Sequence, residues 1–346
     1  MKRFALVPCS LLVFFLVSSS RVEARQDKAT ESKVRKIAVG GDGGWDYLTV
    51  DSAAKRLYVS RGNRIVVVDL GTEKVVGEIK ETPGVHGVAV VAELGKGFTS
   101  NGGDDTVTAF DLKDLKTLGK IKVGGRPDAI HYDPESKRVF TFNHGTNDAT
   151  AVDPAAMKVV GSVKLQGVPE AAASDGKGHV FVNLEDTNEI AEFDATTLAV
   201  LHRWSIAPGV RPTGLALDRA HRRLFSACGN KKMIVVDADK GAIVATLDIG
   251  AGCDGAGFDP VKGFAYASNG GDGTLTVVKG ESPDKFVVAA TIPTQRGART
   301  MALDPKTHRV YLSTAEFAPP PAGQAPQKKG RRNIVPGSFS IVVVGE

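Results

Sequence analysis

The sequence predicts an all-β chain: a seven-bladed β-propeller of four-stranded blades, the last closed by the N-terminal strand. Two observations carry this reading, a short run that recurs at a fixed period and two chain ends that complement each other. The recurring runs are IVVVD to Asp69, VTAFD to Asp111, ATAVD to Asp153, IAEFD to Asp194 and IVVVD to Asp237. They are spaced 42, 42, 41 and 43 residues apart, and a further step of 42 reaches Lys279, at the end of TLTVVK. Four-stranded propeller blades repeat at about 40–45 residues.

Within a unit every segment reads as strand. The fifth unit gives TGLALD, RRLFSA, KMIVVD and AIVATLDI, short runs rich in Val, Ile, Leu and Phe and separated by Gly, Asn, Asp and Pro. No sustained helical periodicity follows the leader. Units open near Tyr47, Gly87, Ala129, Ala171, Gly214 and Gly255, and a seventh opens at Met301 without a fourth strand. The missing strand is at the other end of the chain. Lys33 to Gly41 matches the outer strand in KTLGKIKVGG (Lys116 to Gly125), and the chain ends after a third-strand run, Ser340 to Val344. Pairing the two ends closes the ring and protects an otherwise open sheet edge.

Residues 1–24 read as a secretory signal: basic Met1-Lys2-Arg3, an apolar stretch from Phe4 to Val17, and small residues before a cleavage point at Ala24. The apolar stretch is too short for a membrane span, and Cys9 lies inside it, where it cannot serve as a lipoprotein anchor. Residues 25–33 are a polar leader and 34–346 the propeller. The expected location is periplasmic or extracellular, with no membrane span after cleavage and a monomeric chain. Losing Lys2, Arg3, Arg21 and Glu23 lowers the formal charge from +5 to +3. That balance, with only 6% aromatic residues to stack bases, argues against nucleic acid as the favoured partner.

Gly84-Val85-His86-Gly87-Val88-Ala89-Val90, Arg211 to Asp218 and Arg309-Val310-Tyr311-Leu312-Ser313 resemble the YVTN-type repeat. Over residues 34–346 the chain is similar to the YncE-like secreted β-propellers. That resemblance implies the fold and export. It carries no shared catalytic set, and fold alone does not supply function.

The register puts one polar residue at the mouth of each innermost strand: Asp46, His86, Asp128, Glu170, Thr213, Asp254 and Thr300. Because strands alternate in direction, the loops joining second to third strands emerge on the same face. They contribute Asn101, Asn143, His144, Glu185 and Asn269. Carboxylates and an imidazole converging there can hold a divalent cation, calcium or similar, at Asp46, His86, Asp128 and Glu170. The same ring can bind a small ligand or a protein partner, which makes a binding scaffold the leading expectation. A metal-dependent hydrolase or lactonase-like enzyme at the same mouth is the alternative, and a nucleic-acid or polyanion binder a further one. The chain contains no G-x-S-x-G, H-E-x-x-H, C-x-x-C-H or Walker motif.

Two features stand outside the repeat. Cys228 and Cys253 fall on neighbouring blades at the same face, a candidate disulfide in an oxidising compartment. Residues 315–338 are a long insertion between the second and third strands of the last unit. Its Pro319-Pro320-Pro321 and its basic Lys328, Lys329, Arg331 and Arg332 predict a flap over the polar mouth.

Overall fold

Seven four-stranded antiparallel sheets are present, and six of them use four consecutive strands. The computed structural model describes residues 33–319 and 334–345, together with Met1. The six consecutive blades span 48–79, 85–122, 127–164, 169–205, 212–248 and 253–293. In the seventh, Met301–Asp304, Arg309–Thr314 and Ser340–Val344 are completed by Val34–Ala38 from the other end of the chain. Val34 lies opposite Val344 and Ala38 opposite Ser340, so the closure expected from sequence is the one that forms. The signal and leader readings fall on residues outside the described ones. No helix among the described residues is long and apolar enough to cross a membrane.

Burial explains the sequence pattern strand by strand. Second and third strands, such as Lys96–Asn101 and Thr106–Asp111, are buried along nearly their whole length. Both faces of these strands are covered by neighbouring blades, so they read as continuous apolar runs rather than alternating ones. Fourth strands, such as Thr117–Lys122, are mostly exposed and carry the lysines. Aromatic rings fill the layers between blades: Phe193 packs edge-on against Phe140 at 5.3 Å and meets Phe142 at 6.5 Å. All three are fully buried, where truncating one ring to Ala costs about 3–5 kcal/mol.

The recurring aspartate is a turn-former. Asp69 Oδ1 accepts the N–H groups of Gly71 at 3.0 Å and Thr72 at 2.7 Å. Asp111, Asp153, Asp194 and Asp237 each take the equivalent pair two and three residues on. Such a side chain reverses the strand locally. The sixth unit has Lys279 at this position. There the hairpin runs on, in strands Thr274–Ser282 and Lys285–Pro293 of nine residues each.

Near the axis the innermost strands crowd each other. A Cβ on Gly214 would stand 2.6 Å from the backbone of Gly255 and Ala256 in the next blade, so no other residue fits. Closure of the ring has its own linchpin in Arg61, at the end of the second strand of blade one and 1% exposed. Its guanidinium donates to the carbonyls of Gly43 at 2.6 Å and Gly41 at 2.8 Å, and lies 3.7 Å from the ring centre of Phe339. It ties the segment following the N-terminal strand to the last blade.

Candidate functional site

The polar ring comes from a local irregularity repeated around the axis. Innermost strands of blades two to six break register with their neighbours just after their first residue. His86, Asp128, Glu170, Thr213 and Asp254 all sit inside these bulges. A β-bulge re-aims a side chain that regular pleating would point into a sheet face. Here it turns polar groups toward the mouth of the central channel.

Most of the predicted ring residues meet there. His86 Nδ1 is 2.6 Å from Asp46 Oδ2 and 3.4 Å from Asp128 Oδ1. His144, from the second-to-third turn of blade three, brings its Nε2 to 3.1 Å from Glu170 Oε1 and 3.6 Å from Asp128 Oδ2. That nitrogen is sealed from solvent and aligned for a hydrogen bond with neither carboxylate. Asp128 therefore stands between two imidazoles, one facing each of its oxygens.

Two groups that the sequence reading left out complete the arrangement. Arg299 donates from Nη1 to Asp254 Oδ2 at 2.6 Å and from Nη2 to Asp46 Oδ1 at 3.2 Å. The Tyr47 hydroxyl donates to Glu170 Oε2 at 3.2 Å. Each directly adjoins a ring residue, Arg299 before Thr300 and Tyr47 after Asp46. That adjacency was the available signal, and counting a single side chain per blade concealed it.

Burial and neighbouring charge shift the titration of four of these groups, His86, His144, Asp128 and Asp254. Burial disfavours the charged form of His86, but the hydrogen bond to Asp46 and the fields of Asp128 and Asp46 outweigh it, raising the imidazole to about 9. His144 is likewise raised, burial being overcome by Glu170 and Asp128. Burial, moderated by His86, pushes Asp128 up to about 7. Asp254 also rises to about 7, burial again leading and Arg299 opposing. Left to itself, the mouth collects protons to balance its excess of carboxylates.

Other predicted residues have different employment. Thr213 Oγ1 donates to Cys253 O at 3.0 Å and Thr300 Oγ1 to Asp46 O at 2.7 Å, so both stitch one blade to the next. Asn101, Asn143 and Asn269 are fully buried rather than presented to a ligand. Asn101 Nδ2 donates to Thr106 and Thr108 Oγ1 at 3.0 and 2.9 Å, Asn269 does the same to Thr274 and Thr276, and Asn143 donates to Asp148 Oδ1 and Thr150 Oγ1. Glu185 pairs with Arg211 at 2.5 Å.

The disulfide expected from sequence is not formed. Cys228 and Cys253 are buried free thiols, with sulfurs directed at Ser226 O (3.5 Å) and Gly255 O (3.4 Å). Burial pushes them up to about 11 and about 12. The basic residues of the flap, Lys328, Lys329, Arg331 and Arg332, lie outside the described residues. Its roots do not: Phe317 bridges Ile334, and Trp45, next to ring residue Asp46, packs at 6.2 Å from Phe317 and 5.5 Å from Phe339.

Below the ring is a cavity of about 130 Å³ lined by Tyr47, Gly87, Ala129, His131, Phe142 and Ala171 among others. The His131 Nε2 is sealed from solvent without a hydrogen-bond partner. A wider cavity, about 240 Å³, lies between blades five and six at their opposite ends, beside the long hairpin of blade six. Asp218, His221 and Glu281 are among its lining residues.

No protein-family model matches the chain, and no curated protein matches it in sequence. Solved structures do match. The hydrazine synthase of Kuenenia stuttgartiensis aligns with a TM-score of 0.70 and 18% identity, covering 79% of this chain and 94% of that one. The structure of U3-55K gives a TM-score of 0.73 at 9% identity over 90% of this chain and 98% of that one. The WD40 repeats of RRP9 give 0.74 at 9% over 90% and 97%. These likenesses are of fold alone: the chain is a seven-bladed β-propeller, the scaffold of WD40-type domains.

Proposed function

We propose that this chain is an exported propeller of the YncE-like, YVTN-repeat kind, and that it binds a divalent metal ion at its polar mouth. The observation that carries the reading is His86 clamped between Asp46 and Asp128, with His144 between Asp128 and Glu170. In both sets the donor atoms lie within 4.8 Å of one another. Carboxylate oxygens and imidazole nitrogens converging from separate blades form a rigid, preshaped ligand set. Imidazole donors favour a first-row transition ion over calcium, which prefers oxygen alone.

A metal-dependent hydrolase or lactonase-like enzyme is the second reading. The cavity beneath the ring favours it, since its wall carries Tyr47, Gly87, Ala129 and Ala171, each next in sequence to one of the ligands Asp46, His86, Asp128 and Glu170. Metal-dependent turnover of simple esters or lactones, lost with the ion, is its test. The primary reading is tested by equilibrium dialysis of the full chain against Zn²⁺, Mn²⁺ and Ca²⁺. Asp128→Asn should weaken Zn²⁺ or Mn²⁺ binding by about tenfold or more, with folding unchanged. Absence of binding, or equal binding by the variant, would overturn it.

A further inference from the structure

We infer that the mouth is a dinuclear centre: two divalent transition-metal ions held side by side, with the Asp128 carboxylate bridging them. This rests on the metal-binding reading above and adds to it the number of ions, the bridging group and the identity of each half.

The geometry divides the donors into two sets that share only Asp128. One set is Asp46, His86 and Asp128, and the other is Asp128, His144 and Glu170. Asp128 presents different oxygens to them: Oδ1 is 3.4 Å from His86 Nδ1 and Oδ2 is 3.6 Å from His144 Nε2. A carboxylate used through both oxygens spans two ions about 3.5–4 Å apart, the spacing of two-metal sites.

The outer carboxylates are set for the same purpose. Asp46 has Oδ1 held by Arg299 at 3.2 Å, and its Oδ2 faces His86. Glu170 has Oε2 held by Tyr47 at 3.2 Å, and its Oε1 faces His144. In each, the oxygen turned away from the centre is occupied and the other is turned in. Fixing a ligand through its outer atom is how the groups behind a metal site orient the ligands themselves. The two halves are thus matched, each with one imidazole nitrogen, one anchored carboxylate and half of Asp128.

Three protein donors per ion leave open positions, as in catalytic rather than structural sites. Two divalent ions against three carboxylates leave a residual positive charge, because Arg299 already answers Asp254 at 2.6 Å. An anionic group, hydroxide or the carboxylate or phosphate of a ligand, suits those positions.

Gly102 gives the arrangement a test that removes no donor. A Cβ there would stand 2.9 Å from His86 Nε2, on the side of the ring away from the ion, so Gly102→Ala must displace the imidazole. The experiment is metal content after dialysis against Zn²⁺ or Mn²⁺, read by elemental analysis of the full chain and of variants matched in thermal unfolding. Two ions per chain are expected, with a spin-coupled Mn²⁺ resonance. His86→Ala and Gly102→Ala should each drop to one ion, as should His144→Ala, and Asp128→Asn should abolish the spin coupling.

One ion per wild-type chain would overturn the dinuclear centre and leave the single-ion reading standing. No bound ion would overturn both. Two ions unaffected by any of these variants would place them elsewhere and equally overturn the proposal.

Discussion

Asp128 and Arg61 are both largely removed from solvent, and their surroundings treat charge in opposite ways. Arg61 keeps its charge because backbone carbonyls surround it, although burial and then nearby Arg64 lower it to about 10. Asp128 is disfavoured in its ionised form first by burial, which His86 opposes and the nearby carboxylates of Asp46 and Glu170 reinforce. His131, under the ring, shows the same physics in a neutral group. Burial, reinforced by Arg219, lowers it to about 4, whereas in an unfolded chain it titrates near about 6.5. Its folded-state pKa is depressed, so its contribution to stability is complete above about 6.5 and is lost as pH falls through about 4. His131→Phe should therefore flatten the fall in melting temperature between pH 7 and pH 4. An equally steep fall in the variant would remove His131 as the cause. Nothing in the sequence marks His131 for this role. It is three residues beyond Asp128 on a strand, and only the closed ring makes that place a cavity wall.

At the scale of the element, legibility followed local chemistry. Asp69, Asp111, Asp153, Asp194 and Asp237 form their turns with residues two and three further on, so their spacing alone revealed the blades. The bulges that turn His86 and Asp128 inward were not legible, because a register shift depends on the partner strand. The asparagines depart from expectation for a related reason. The sequence around Asn101 reads as a loop, yet this residue ends a strand and spends its amide on Thr106 and Thr108 of the next. Cys228 ends its strand at the place Asn101 holds in blade two, buried to the same degree, and alignment on one face did not dictate a bond to Cys253. The N-terminal strand allows a sharper test. Deleting residues 34–38 removes the five-residue pairing with Ser340–Val344 and exposes the edge of a buried strand. A large fall in melting temperature or outright aggregation is expected. An unchanged melting temperature would show that the closing strand is dispensable.

At the scale of the whole molecule, the ring makes a site that no single blade possesses. Asp46, His86, Asp128, Glu170 and Asp254 come from five blades, and Arg299 reaches in from the turn before the seventh. Period and register place the ring residues together at one mouth of the predicted ring. They could not show which would line the mouth and which, like Thr213 and Thr300, would be used up in joining blades. Solved propellers share this architecture at 9–18% identity, a likeness of fold alone, which by itself assigns no role to the mouth. The described roots of the insertion, Phe317 and Ile334, pair with each other, and Phe317 packs on Trp45, which adjoins Asp46 in the chain.

The most direct measurement is anomalous diffraction at the zinc edge from crystals of the full chain equilibrated with Zn²⁺. Anomalous density beside Asp128, within bonding distance (about 2.0–2.2 Å) of His86 Nδ1 and the inward oxygen of Asp46, is the predicted result. A mouth without anomalous density, with His86 still hydrogen-bonded to Asp46 while zinc occupies other places on the protein, would contradict it.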